Sequence, residues 1–241
     1  MGTDQLKITK HVVLISGLMC NAKFWAEQIP ALSENFLIYC PNLANFDRFD
    51  AMAKSILDQQ PASFHLIGHS MGARVALEVM RLAPDRVLSL ALFDTGVHGV
   101  ADNEPQKRQI LLDIANTSGM QAVAGTWIPQ MLHPNRRDDK ALLKRIEAMV
   151  LDYSPQQFHN QVAALLHRQP AYDVLKTLSC PTLVGCGRQD QWSTLAQHQA
   201  FCQYIHNPQF SVIEDCGHMV AMEQPKVFLT ILLNWLEVQN Q

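Results

Sequence analysis

The alternation of two hydrophobic periods constrains this chain more than any other feature. Short apolar runs rich in Val, Ile, Leu and Phe occupy residues 11–16, 36–40, 64–68, 87–93, 182–186 and 210–214. Each has the length of a strand. Most intervals between them carry apolar residues at helical spacing, over 22–33, 49–59, 71–83 and 194–204, and a further such stretch, 225–237, follows the last run. Pro84-Asp85 closes the third of these, as a proline just past a helix end should. Runs short enough to be buried on both faces, alternating with helices, predict an α/β fold. Its sheet is mainly parallel and six-stranded, covered by helices on both faces.

One interval breaks the rhythm. More than eighty residues separate Asp94 from Thr182, far too many for one crossover. Helical patterns fill them, over 105–116, 118–131, 138–151 and 155–168, punctuated by Gly119, Pro129, Pro134 and Pro155. The expected organisation is one core, residues 1–94 and 173–241, with a helical insertion at 95–172. A length of 241 residues suits a single hydrophobic core with an insertion.

Gly68-His69-Ser70-Met71-Gly72 is a G-x-S-x-G sequence, which alone is a weak signal. Its setting makes it specific. Residues 64–67 read as a buried strand and residues 71–79 as an amphipathic helix, so Ser70 falls on a strand-to-helix turn. Such a turn drives the serine towards positive φ and leaves space only for small residues two positions either side. It also places Ser70 at a helix N-terminus, where the Met71 N–H can face a substrate carbonyl oxygen.

The remaining composition excludes other classes. The charged residues, 19 basic and 22 acidic, give a net charge of −3, and Arg136-Arg137 is followed at once by Asp138-Asp139. That is a poor phosphate-binding stripe, so no nucleic-acid partner is expected. The first ten residues show no signal-peptide pattern and no run is long enough to span a bilayer, which predicts a cytoplasmic protein. Six cysteines (Cys20, Cys40, Cys180, Cys186, Cys202, Cys216) lack metal-finger spacing and are read as free, mostly buried thiols. Neither G-x-G-x-x-G nor a P-loop is present, so no cofactor and no metal are expected.

On the nucleophile turn and its flanking elements, the chain resembles the α/β-hydrolase family over nearly its whole length, and within it the small, capped carboxylesterases. The resemblance implies a strand order of 2-1-3-4-5-6 and a triad in the order nucleophile, acid, histidine. Ser70 is then the nucleophile. Gly187-Arg188-Gln189-Asp190 resembles the family's Gly-x-x-Asp acid turn, making Asp190 the acid. Asp94, which ends a core strand, is the reserve candidate. Asp215-Cys216-Gly217-His218-Met219 resembles the Gly-His loop, making His218 the base. Ser16-Gly17-Leu18 stands where relatives have His-Gly-x, which implies the Leu18 N–H as second oxyanion donor beside Met71.

The expected reaction is hydrolysis of a small-molecule carboxylic ester with a small to medium apolar group, through an acyl-enzyme. Cleavage of a C–C bond, a lactone or a thioester by the same triad is the alternative, and a non-catalytic binding protein on this fold the remoter one. Trp127, Met131 and Phe158 of the insertion, with Trp192 and Met219, are the candidates for the substrate pocket. His69 is expected to support the loop, and His98, near the start of the insertion, to lie on the surface, with lining of the site as the alternative. Arg74, Glu78 and Arg81 are expected to form a solvated helix face.

Overall fold

The computed structural model describes residues 10–239, so the reading of the extreme N-terminus lies outside the described residues. Six strands form one sheet: β1 (His11–Ile15), β2 (Leu37–Tyr39), β3 (Phe64–His69), β4 (Val87–Phe93), β5 (Thr182–Gly187) and β6 (Gln209–Ile213). Every pairing is parallel and the order is β2-β1-β3-β4-β5-β6, as expected.

The two-residue period of a strand divides the core. Val12 and Leu14 of β1 point into one apolar layer, while Val13 and Ile15 point into the other. The first layer holds α1 (Ile29–Leu32), the helical insertion and the C-terminal helix. The second holds α2 (Phe49–Gln59) and α3 (Met71–Leu82) through Met52, Ile56, Ala76 and Val79. Both faces of the four central strands are therefore largely dry, which is why those strands read as apolar runs.

Between β4 and β5 lie α4 (Glu104–Met131), α5 (Lys140–Val150), α6 (Pro155–Leu166) and α7 (Tyr172–Thr177). The two helices expected over 105–131 are limbs of α4, joined at Gly119, whose φ of 76° breaks the helical run. Ser154 and Gln157 form a capping box at the start of α6. After β5 come α8 (Leu195–Cys202), then β6, α9 (Val220–Glu223) and α10 (Pro225–Val238). Among the described residues no helix is long and apolar enough to cross a membrane.

One expected helix does not form. Residues 22–33 fold into a 3₁₀ turn, Ala22–Trp25, and the single turn of α1. Pro30 has no N–H to donate and clashes with a preceding helical turn, so a helix can only begin beside it. The buried Gln28 instead sends its Nε2 to the carbonyls of Ala221 and Pro225.

Candidate active site

The turn after β3 is as tight as its sequence suggests. Ser70 has φ 55° and ψ −118°, held by donation from its N–H to the Phe93 carbonyl at 2.8 Å and by the Thr95 hydroxyl, which donates to the Ser70 carbonyl. A Cβ on Gly72 would lie 2.2 Å from the Ile15 carbonyl oxygen, and one on Gly68 would lie 2.5 Å from the Ala73 Cα. Both glycines are steric requirements of the close packing of α3 on β1 and β3. Thr95 is itself fixed, since its N–H donates to Nε2 of the buried His198.

Three side chains from separate loops meet at this turn. Ser70 Oγ lies 2.9 Å from His218 Nε2, and His218 Nδ1 lies 2.8 Å from Asp190 Oδ2. The other Asp190 oxygen accepts the N–H groups of Trp192 and Ser193. Burial alone would raise the Asp190 pKa, but the facing His218 and these hydrogen bonds outweigh it and hold the carboxyl below its ordinary range.

Asp94 approaches from the end of β4, with a polar atom within 4.8 Å of those of Asp190 and His218. Its Oδ1 accepts the Gly187 N–H at 2.9 Å, and its Oδ2 is buried with no hydrogen-bond partner. Burial, then the charge of Asp190, pushes its pKa well up, which favours its neutral form. Both His218 nitrogens and both Asp190 oxygens are already engaged, which leaves this trio without a donor set for a metal ion.

A buried frame carries His218. Glu223 accepts the N–H groups of Gly217, Met219 and His133, and the His218 N–H donates to the Met131 carbonyl at 2.7 Å. His69 stacks on Phe24 and bonds through Nε2 to the His218 carbonyl. Burial, then the neighbouring His218, lowers its pKa to about 3, so His69 stays neutral and donates. Ser16 accepts from Trp25 Nε1 and donates to the Asn21 carbonyl, pinning the loop that presents Leu18.

A cavity of about 280 Å³ opens above Ser70. Leu18, Met71, Trp127, Met131, Phe158 and Trp192 line it together with Ser70 and His218. Met219 does not: its side chain is fully buried in the core, because the chain turns into α9 immediately after His218. Two further expectations are corrected. His98 lines the cavity rather than the outer surface, and Arg74 is only 7% exposed and lines it too. The segment after β4 folds back over α3 and covers a face that helical spacing marked as wet. Glu78 and Arg81 do pair on the outside.

A parallel α/β sheet with a strained serine at a strand-to-helix turn, joined to a histidine and a carboxylate from later loops, defines the hydrolase class of this architecture. The chain belongs to the alpha/beta hydrolase family, whose model matches residues 12–231. It is 27% identical to a thermophilic esterase from Thermogutta terrifontis, with a TM-score of 0.89 over 96% of this chain and 91% of that one. The enol-lactonase from Burkholderia xenovorans LB400 shares the fold at a TM-score of 0.84 and 20% identity, covering 95% of this chain and 91% of that one. Monoacylglycerol lipase ABHD6 of Rattus norvegicus is 23% identical over 93% of this chain and 74% of its own length.

Proposed function

We propose that the chain is a serine hydrolase that cleaves a carboxylic ester through an acyl-enzyme on Ser70. The observation that carries this reading is the unbroken line from Ser70 Oγ through His218 to the ionised Asp190, at 2.9 and 2.8 Å. His218 Nε2 takes the Ser70 proton as Oγ attacks the carbonyl carbon. Asp190 holds the proton on Nδ1 and stabilises the imidazolium that results. The N–H groups of Leu18 and Met71 receive the developing oxyanion. His218 then gives its proton to the leaving alcohol, and water releases the acid by the same steps in reverse.

Residues 95–172 act in this reading as a cap over the core formed by the two flanking segments. The apolar wall of Trp127, Met131, Phe158, Val162 and Leu165 suits a small to medium acyl or alcohol group. Each methylene it buries is worth about 0.8 kcal/mol. The same triad serves lactone, thioester or C–C cleavage, and a panel of such substrates separates them by kcat/KM. A fluorophosphonate probe followed by peptide mapping tests the core of the proposal. Modification at Ser70 is expected, and a protein left unlabelled or labelled elsewhere refutes it.

A further inference from the structure

The apolar wall is only half of the cavity. Away from Ser70 the lining changes to Arg74, Lys107, Arg108 and Arg168, with Glu104 as the one carboxylate among the lining residues of that region. The formal balance is four positive charges against one negative. Such a concentration of one sign in a partly enclosed space raises the local concentration of the opposite ion.

The ion pairing there is unequal. Arg168 is saturated, its Nε, Nη1 and Nη2 reaching the carbonyls of His98, Leu165 and Gly99 and both oxygens of Glu104. Arg108 takes the same carboxylate. Arg74 is left without an ionic partner among the described residues. Its Nη2 donates to the His98 carbonyl at 2.7 Å, and its buried Nη1 has no acceptor at all. Burial, then the repulsion of Arg168, lowers the Arg74 pKa to about 9, with the Glu104 carboxylate offsetting only part of that.

We propose that this end of the cavity is an anion subsite, in which Arg74, assisted by Lys107 and Arg108, receives a carboxylate on the acyl part of the ester substrate. This rests on the serine hydrolase reading above. Arg74 lies four residues beyond Ser70, one turn or about 6 Å along α3. His218 must protonate the leaving oxygen, so the alcohol occupies the His218 side. The acyl chain is left to run past Met71 towards Arg74. The substrate class is therefore a half-ester of a short dicarboxylic acid, its free carboxylate supplying the missing acceptor.

The test compares mono(4-nitrophenyl) adipate with the isosteric neutral adipamate ester, corrected for uncatalysed hydrolysis. In the unmodified protein kcat/KM for the acid is expected to exceed that for the amide by at least about tenfold, since a charge-assisted contact is much stronger than a neutral one. The ratio should shrink as salt rises. Arg74→Met should bring it close to one. If that variant does not fold, the Lys107→Gln/Arg108→Gln double variant should cut it severalfold. A ratio near or below one in the unmodified protein, or a ratio unchanged in every folded variant, overturns the anion subsite while leaving the serine mechanism standing. Labelling of Ser70 by the fluorophosphonate with no turnover of either ester also overturns the subsite. Failure of both turnover and labelling overturns the hydrolase reading instead.

Discussion

Asp94→Asn and Asp190→Asn are isosteric changes at neighbouring buried carboxyls, and the structure predicts opposite outcomes. Asp190 accepts from His218 and two backbone N–H groups, so its charge is well solvated by the protein and faces the base directly. Asparagine there removes the charge that stabilises the imidazolium and presents an amide that can hold the wrong tautomer. The expected loss is on the order of 10⁴ in kcat, or about 5.4 kcal/mol at 1.36 kcal/mol per decade. Burial and the neighbouring Asp190 push the Asp94 pKa well up, which favours its neutral form, and the Gly187 N–H donates to its Oδ1. Asparagine retains that acceptor and copies the protonated acid, so the loss should stay below about tenfold. The assay is kcat/KM for a neutral 4-nitrophenyl ester from pH 6 to 9, with the fluorophosphonate labelling rate as a second readout. A dead Asp94→Asn protein beside a near-native Asp190→Asn one would refute the assignment and move the acid role to Asp94.

Ser70→Ala and His218→Ala should each lower ester hydrolysis by roughly 10⁴ to 10⁶, and the double variant should be no worse than the poorer single one. Glu104 behaves as a stability probe. Burial alone would raise its pKa, but Arg168 and Arg108 outweigh that and lower it from the ordinary 4.5 to about 2. Its folded-state pKa is depressed, so its contribution is fully present above pH 4.5 and is lost as pH falls towards 2. The Tm deficit of Glu104→Gln relative to the unmodified protein should shrink across that window. Gly72→Ala should drive α3 off β1 at a cost of about 1–3 kcal/mol. By differential scanning calorimetry that is a Tm drop of roughly 3–10 °C, and an unchanged Tm would show that the contact relaxes.

The four central strands were legible because they are buried on both faces and so read as apolar runs bounded by turns, and the half-exposed edge strands β2 and β6 because their runs are short and apolar. Ser70, Asp190 and His218 stood out because each follows a strand in a short turn of distinctive residues. What stayed hidden depends on which surfaces meet. Arg74 occupies a face of α3 that spacing alone marks as wet, yet it is buried there with its Nη2 on the His98 carbonyl. Nothing in the local sequence around His98 reports that approach. Trp127, Met131 and Phe158 were picked from apolar stripes that also pack helices together, and they happen to lie where the stripes meet the cavity. Met219 was chosen for adjacency to His218, but neighbours at the start of a helix diverge in direction. The helix expected over 22–33 failed on Pro30, whose effect was visible but outweighed in the reading by the apolar spacing around it.

The Glu223 frame bears on how this architecture can be recombined. One carboxylate joins His133, just beyond α4, to Gly217 and Met219 on either side of His218, while Met131 holds the His218 N–H directly. The insertion is thus mortised into the loop that carries the base. A chimera that exchanges residues 95–172 alone for those of another hydrolase keeps this frame only if its backbone brings an N–H to Glu223 and a carbonyl to the His218 N–H at the places of His133 and Met131. The natural unit of exchange is a pair of discontinuous segments, the insertion together with residues 215–223. Libraries shuffled at that seam should yield active enzymes far more often than those cut at the strand ends.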